Sequence, residues 1–503
     1  WSSDVCSSDL MSIYYERKRA YALRLLVWFL CALLVLESDG FPATAAAAIA
    51  PTSNCGPGGT RYDVVVIGSE IEGVLLAKKA HEFGLSVLIL DPREKPGGEL
   101  IQGQMLVLDE PNDNRKHSLV QGELKPLYDG YKAGTIRKLP AFESYYRRLL
   151  QGIPLRSGIT VDGVEIENAG GDGKGKTLKS VTYLDKDGKL YQVRAGYFVE
   201  NTDFNALTVH LGNKRVPGME SLYNGKKPDY MAATYMLRFR GVNWGKLHQA
   251  VLEEYPLTNV VRKYGANTYV DWDFATGFSN LTYNYRPRNS QLILRGLNAT
   301  HQKNGEVIIN GLLVYDVDPA DPQSVRSAVT RARAEAPYIA KYLRKHIPGF
   351  AKAELNGYPD YLYIRDYNRY ETDYVLNDQD VISGRMFWDN VTIGGYAVDL
   401  QATRFVKKGI SYGKPDRYGI PLRSFELKSY DNVLVAGKNV GAEIKAYGSA
   451  RIIPTTALAG ETMGILLGRE WKPHHKRLSE LTPADFRRIH HYLKKDYGIR
   501  IDR

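Results

Sequence analysis

Two apolar runs ending in glycine, one near each end of the chain, predict a discontinuous α/β fold when read with the Tyr- and Asn-rich block of alternating residues between them. The runs read as buried parallel strands of one sheet, the glycine-punctuated stretch 157–203 as an antiparallel meander beside it, and the central block as an inserted α+β domain. The length of 503 residues exceeds what one hydrophobic core supports, so two packed units are the natural outcome. The boundaries that follow are 58–212 and 366–468 for the sheet-bearing domain, 213–365 for the insert, which is the candidate substrate or cap domain, and 469–503 for a basic helical tail.

The first ten residues, WSSDVCSSDL, repeat Ser-Ser-Asp ahead of Met11 and read as a non-native scar. From Met11, the basic residues Arg17, Lys18, Arg19 and Arg24 precede the uncharged run Leu25–Leu36, and an Ala-x-Ala site follows at Ala43-Thr44-Ala45. The run is 12 residues, short of the roughly 20 that span a bilayer. Residues 11–50 therefore read as an export signal, with an uncleaved anchor as the other reading; both place the mature chain outside the cytoplasm, secreted or held at the cell envelope. Of the three cysteines only Cys55 survives these exclusions, so the fold rests on its core and not on a disulfide framework.

Tyr62–Gly68 is the first buried strand. Ile71–Phe83 carries helical spacing and is closed by Gly84; Leu85–Leu90 is a second buried strand ending at Asp91. Val161–Glu167, Ser180–Asp185 and Leu190–Val193 form the meander, with a polar glycine-rich tip at Asn168–Lys176, and Ala195–Glu200 is a further apolar strand returning to the first sheet. Within the insert, Thr234–Arg240 and Gln291–Arg295 alternate as strands, while Trp244–Tyr255 and Pro322–His346 are helical. Asp431–Gly437 resumes the buried-strand-plus-glycine pattern, and Pro454–Leu467 follows as a helix.

The turn after the first strand is Gly68-Ser69-Glu70-Ile71-Glu72-Gly73. In a dinucleotide fingerprint the first glycine makes the tight turn, the second admits the pyrophosphate and the third packs helix on strand; an acidic residue about 20 positions on takes a ribose hydroxyl. Strand, helix, Gly68, Gly73 and Asp91 are all in place, and the pattern is Rossmann-like. Glu70 stands at the middle glycine, and a carboxylate there must point aside or the cradle is altered. Ser69 and Glu70 in the turn, and Pro92, Arg93 and Gly98 beyond Asp91, join the candidate cofactor-binding set. So do Gly437, Thr455, Thr456, Ala459 and Gly460, because a second helix N-terminus aimed at the same site stabilises negative charge on a reduced flavin.

The segment Tyr418–Gly464, with Leu422-Arg423-Ser424, Asn432–Gly437 and Gly448-Ser449-Ala450-Arg451 in order, resembles the C-terminal signature of the bacterial FAD-dependent oxidoreductases related to glutathione-reductase-like flavoproteins. Val381–Arg385, Gly394–Asp399, Ile364-Arg365-Asp366 and the tail Leu478–Ile501 are similar to further blocks of that family. The resemblance covers roughly 60–210 and 360–503 and implies bound FAD and oxidoreductase activity. Three departures stand out: Glu70, the turn Glu200-Asn201-Thr202-Asp203, and Ile444 where many members carry histidine. With that histidine missing, Arg451, Tyr447 and Lys445 are the candidate catalytic residues. Arg451 either binds a substrate carboxylate or oxyanion or makes a structural ion pair; Tyr447 and Lys445 either transfer protons, given depressed pKa values, or are bystanders. Arg385 and Arg404 are secondary candidates for an acidic substrate.

The leading functional reading is hydride transfer from a small polar organic substrate to flavin N5, with reoxidation by oxygen, a quinone or another acceptor. An NAD-dependent dehydrogenase and a non-catalytic secreted binding protein on a degenerate flavin scaffold are the alternatives. The formal charge of +11 is scattered and carries no nucleic-acid motif. His474, His475, His490 and His491 project in different directions and suit no metal. Ten Lys and Arg against five Asp and Glu in the tail are either a solvated face or a means of loose attraction to an anionic membrane surface.

Overall fold

The computed structural model describes residues 59–168, 175–302, 304–407 and 409–502. Residues 1–50, read above as a scar and an export segment, lie outside the described residues, as do Cys55 and most of the 168–176 tip.

Strand β1 (Thr60–Ile67) enters the core at Val64, and its last four residues are fully buried. It leads through Gly68 into helix α1 (Ile71–Glu82), which Gly84 closes in the left-handed conformation (φ 76°), as the sequence predicts. Strand β2 (Val87–Asp91) pairs parallel with β1, and β3 (Leu155–Ser157) extends the parallel edge. The meander is β4 (Thr160–Asn168), β5 (Lys176–Leu184) and β6 (Leu190–Glu200).

Here the structure corrects the reading. Leu190–Val193 and Ala195–Glu200 are a single strand of 11 residues. Its first half pairs antiparallel with β5, while its length from Val193 to Glu200 pairs parallel with β1. One strand joins both halves of the sheet because its burial changes along its length, half-exposed at Leu190–Gln192 and wholly buried at Tyr197–Glu200. The order is β3-β2-β1-β6-β5-β4.

A second sheet is built on β7 (Ala233–Arg240) and β8 (Val307–Val314), antiparallel neighbours flanked by short strands at 269–270, 274–277, 292–294, 297–301 and 354–355. Helix α2 (Pro322–His346) covers it with Ala328, Ala332, Ala336 and Ala340, a spacing of four that keeps one face of the helix close to the strands. This sheet has its own core, with Phe239 packed edge-on against Phe350.

The chain then returns. Strand β9 (Val433–Val435) pairs parallel with the buried end of β6, and helices α3 (Ile444–Ala450) and α4 (Ile453–Leu466) follow. Every residue of α4 is buried. It lies on α1, where Gly460 and Gly464 face the Glu72 and Leu76 carbonyl oxygens with no room for a Cβ. Helix α5 (Pro483–Tyr497) starts at a capping box between Thr482 and Asp485. It is no appended tail: Phe486, Ile489, Tyr492 and Leu493 are buried in the main core, as are Ile499 and Ile501 beyond it. Among the described residues no helix is long and apolar enough to cross a membrane.

Candidate functional site

The C-terminal ends of β1, β2, β6 and β9 converge on one crevice, the place where open α/β sheets hold ligands. Gly68 (φ 103°) turns the chain against the backbone of Asn201, and a Cβ at Gly68 would collide with the Asn201 carbonyl. Gly73 packs on the same residue and donates its N–H to Asn201 Oδ1 at 2.9 Å. The unusual 200–203 turn is therefore part of the frame. Glu200 anchors it, accepting from the Thr202, Leu207 and Thr208 N–H groups at 2.8, 2.8 and 3.0 Å.

Asp91 is buried at the end of β2. Its carboxylate accepts from the Ser69 hydroxyl and from the Arg93 N–H (2.9 Å), and burial raises its pKa. Pro92 and Arg93 continue into a cavity of about 610 Å³, walled also by Val161, Phe204, Asn205 and Tyr361, within the usual range for a small-ligand pocket. Arg93 Nε and Asn205 Oδ1 are buried there without partners.

Glu70, which had either to point aside or to alter the cradle, points inward. Its Oε1 takes Arg93 Nη1 at 2.9 Å and its Oε2 takes the Glu99 N–H at 2.8 Å. Lys438, which sequence reasoning missed, reaches Glu99 at 2.7 Å, the Ile364 carbonyl at 2.9 Å and Glu70 at 3.8 Å. Burial works against the Lys438 charge, but Glu70, Glu99 and Asp203 together raise its pKa well above the ordinary lysine range. Gly98 (φ 50°) owes its identity to Glu70, whose carboxylate a Cβ there would strike.

Gly437 (φ 64°) faces the Glu72 carboxylate across the crevice. Thr456 donates to Glu72 Oε1 at 2.8 Å, and Thr455 Oγ1 is buried without a partner. Ala459 and Gly460 lie one turn further along α4, where Gly460 serves the helix crossing.

The three catalytic candidates separate. Arg451 is buried at the end of α3 and lines a small cavity of about 20 Å³ with Glu99, Met105, Asp109, Tyr128 and Tyr363, beside the first residues of α4. Its Nη2 lies 3.4 Å from Asp399, and its Nε has no partner. Tyr447 is fully buried, donates to the Arg365 carbonyl at 2.9 Å and stacks against Arg369. Burial raises its pKa, the reverse of the depression that proton transfer needs. Lys445 is half-exposed, 3.4 Å from Asp378 and over the Tyr412 ring. Arg385 and Arg404 are exposed and paired with Asp380 and Asp316, each at 2.9 Å.

Around Arg451 the fold assembles residues that lie far apart in the sequence. Arg365 is buried with Tyr363 against it, and donates to the Ala232 carbonyl and to Thr234 Oγ1 at 2.6 Å on β7. Burial, and the charges of Arg295 and Arg451, push Arg365 down to about 10 although Tyr363 and Asp399 oppose this. Asp109, raised by burial, holds the Tyr396 hydroxyl at 2.8 Å. Asn310 on β8 and Gln104 add two buried side-chain oxygens without partners.

For an FAD the fit differs along the crevice. The βαβ frame, Asp91, and the 610 Å³ cavity with its unpartnered Arg93 and Asn205 atoms suit the adenosine end. At the turn that would face the pyrophosphate stands the chain's own Glu70, and the cavity beside Arg451 holds a volume closer to one water than to a ring system.

Solved structures similar to this chain include a geranylgeranyl bacteriochlorophyll reductase-like protein from Thermoplasma acidophilum (12% identity, 87% of this chain and 84% of that one, TM-score 0.36). Others are the anhydrotetracycline hydroxylase from Streptomyces rimosus (13%, 87% and 67%, TM-score 0.37) and the p-nitrophenol 4-monooxygenase from Pseudomonas putida (11%, 88% and 88%, TM-score 0.37). Likeness this distant carries no argument about this chain. No curated protein matches the chain. The FAD dependent oxidoreductase family model matches residues 63–487, most of the chain. The chain therefore belongs to the FAD dependent oxidoreductase family: it is a flavoprotein oxidoreductase with FAD as its cofactor.

Proposed function

We propose that the enzyme oxidises a small anionic organic substrate held between the start of α4 and the β7–β8 sheet. When bound, FAD supplies a two-electron acceptor at N5, and oxygen, a quinone or another acceptor regenerates it. The observation that carries the reading is that Arg451 is buried with its Nε unpartnered, while the Arg365 and Arg295 guanidiniums lie within electrostatic reach of one another. A buried guanidinium that keeps a free donor is what a carboxylate or similar anion would engage. Arg451, whose Nε has no protein partner, is the residue best placed to take it. Arg365 would orient it from the opposite sheet, and Tyr363 would help exclude water.

The kinship to glutathione-reductase-like flavoproteins suggested by the Tyr418–Gly464 signature belongs to the same reading, as does the role of 213–365 in choosing the substrate. Export through residues 11–50 and loose contact of the basic 469–503 segment with an anionic membrane are further parts of the proposal. Anaerobic addition of small carboxylic acids and their neutral amides to the flavin-loaded protein tests it. The flavin bands should bleach with acids and not with amides, and Arg451→Gln should raise KM for the acids about tenfold or more. Equal bleaching by both series would refute anionic recognition.

A further inference from the structure

The turn between β1 and α1 puts Glu70 at the position where this class of fold brings a cofactor's pyrophosphate to a helix N-terminus. The carboxylate there is built in. Its side chain is 3% exposed and bonded to Arg93 Nη1 and the Glu99 N–H, with Lys438 Nζ 3.8 Å away. The Gly98 loop is shaped around it, since no side chain fits at Gly98 while the carboxylate is in place.

The surrounding charges leave no surplus for a second anion. Arg93 and Lys438 face Glu70, Asp203 and Glu99: Asp203 bonds Arg93 and lies 3.7 Å from Lys438, and Glu99 is 2.7 Å from Lys438. Two cations already serve three carboxylates, all at side-chain exposures below 10%. Adding the charges of a pyrophosphate to this cluster with Glu70 still in place would bury uncompensated negative charge, the costliest arrangement available in a protein interior. Arg93 Nε nevertheless has a free donor, nine-tenths buried, beside the 610 Å³ cavity that suits adenosine.

We propose that Glu70 is an internal stand-in for the cofactor's pyrophosphate, and that FAD binds by displacing this carboxylate from Arg93, Lys438 and the Glu99 N–H. The inference rests on FAD as the cofactor. It makes Glu70 a residue that sets cofactor affinity: the adenosine half binds in the existing cavity, while the phosphates gain Arg93 and Lys438 only by evicting a carboxylate that already holds them.

The test titrates the full-length protein with FAD, following flavin fluorescence, in the native chain and in Glu70→Gln. Removing the competing charge should lower the Kd at least about tenfold. Should Glu70→Gln fail to fold, adenosine and ADP titrated into the native protein decide the matter alone. With Glu70 in the phosphate position, ADP should bind within about tenfold of adenosine; a larger advantage for ADP overturns the inference. An unchanged or weaker FAD affinity in the variant also overturns it, and leaves the cofactor in place because the native protein has bound FAD. Failure of both proteins to bind FAD removes the cofactor reading and the inference with it.

Discussion

Replacing Glu72 by glutamine should stabilise the protein in mildly alkaline solution and leave it unchanged in acid. Glu72 lies in the first turn of α1, is 3% exposed and accepts the Thr456 hydroxyl from α4. Burial first, then the charges of Glu99 and Glu70, raise its pKa from 4.5 to about 7, and Lys438 offsets only part of this. The unfolded chain titrates at the ordinary value, so between 4.5 and about 7 the native state holds a proton that the unfolded state has released. Stability therefore falls as the pH rises through that window, and levels off above it. A shift of this size corresponds to about 3 kcal/mol once Glu72 is ionised. Glutamine is neutral at every pH and can still accept from Thr456. For a folded unit of this length the gain raises Tm by about 3 °C. Scanning calorimetry of both proteins at about pH 5 and about pH 8 measures it. Glu461, which burial also pushes up to about 7, titrates in both proteins and cancels in the difference. Parallel Tm values for variant and parent at both pH values would refute the reasoning.

Three more outcomes are expected. Gly460→Ala should cost about 2–4 kcal/mol, because the new methyl meets the rigid Glu72 carbonyl at the α1–α4 crossing; a Tm within a degree of the parent would show that the crossing can relax. Phe486→Ala should cost about 3–5 kcal/mol in denaturant unfolding, as for any fully buried aromatic, and a loss under about 1 kcal/mol would mean that α5 is peripheral after all. Tyr447→Phe should lose about 1 kcal/mol with its bond to the Arg365 carbonyl, while the pH profile of kcat stays put. Loss of one limb of that profile would restore Tyr447 to acid–base chemistry.

Much of the architecture is local and hence readable. A run such as Val64–Ile67 has no polar side to show to water, Gly84 supplies the left-handed residue that stops a helix, and the box Thr482–Asp485 starts one. The C-terminal return to the sheet was legible for the same reason, since Val433–Val435 repeats the pattern of β1. Leu190–Val193 and Ala195–Glu200 read as two strands because the first is the more polar and the second apolar, and the sheet that makes them one strand is completed by β1 far away in the chain.

The site divides along the same line. Residues carried on the two strand-to-helix turns, Gly68, Gly73, Asp91, Gly437, Thr455 and Thr456, could be named from spacing, because each turn is a short-range construction whose glycines and helix start lie within a few positions. The partners that give these residues their chemistry are non-local. Arg93 and Lys438 meet Glu70 across 23 and 368 positions, Asn201 fits under Gly73 from 128 positions away, and Arg365 joins Arg451 from another part of the chain. Charge compensation inside a protein depends on distance in space and on exclusion of water, neither of which has a period in sequence. The sequence by itself determined the family, the cofactor class and the two turns; only the tertiary structure decided that Glu70 faces inward, that Tyr447 is a buried strut, and that Arg365 comes within reach of Arg451.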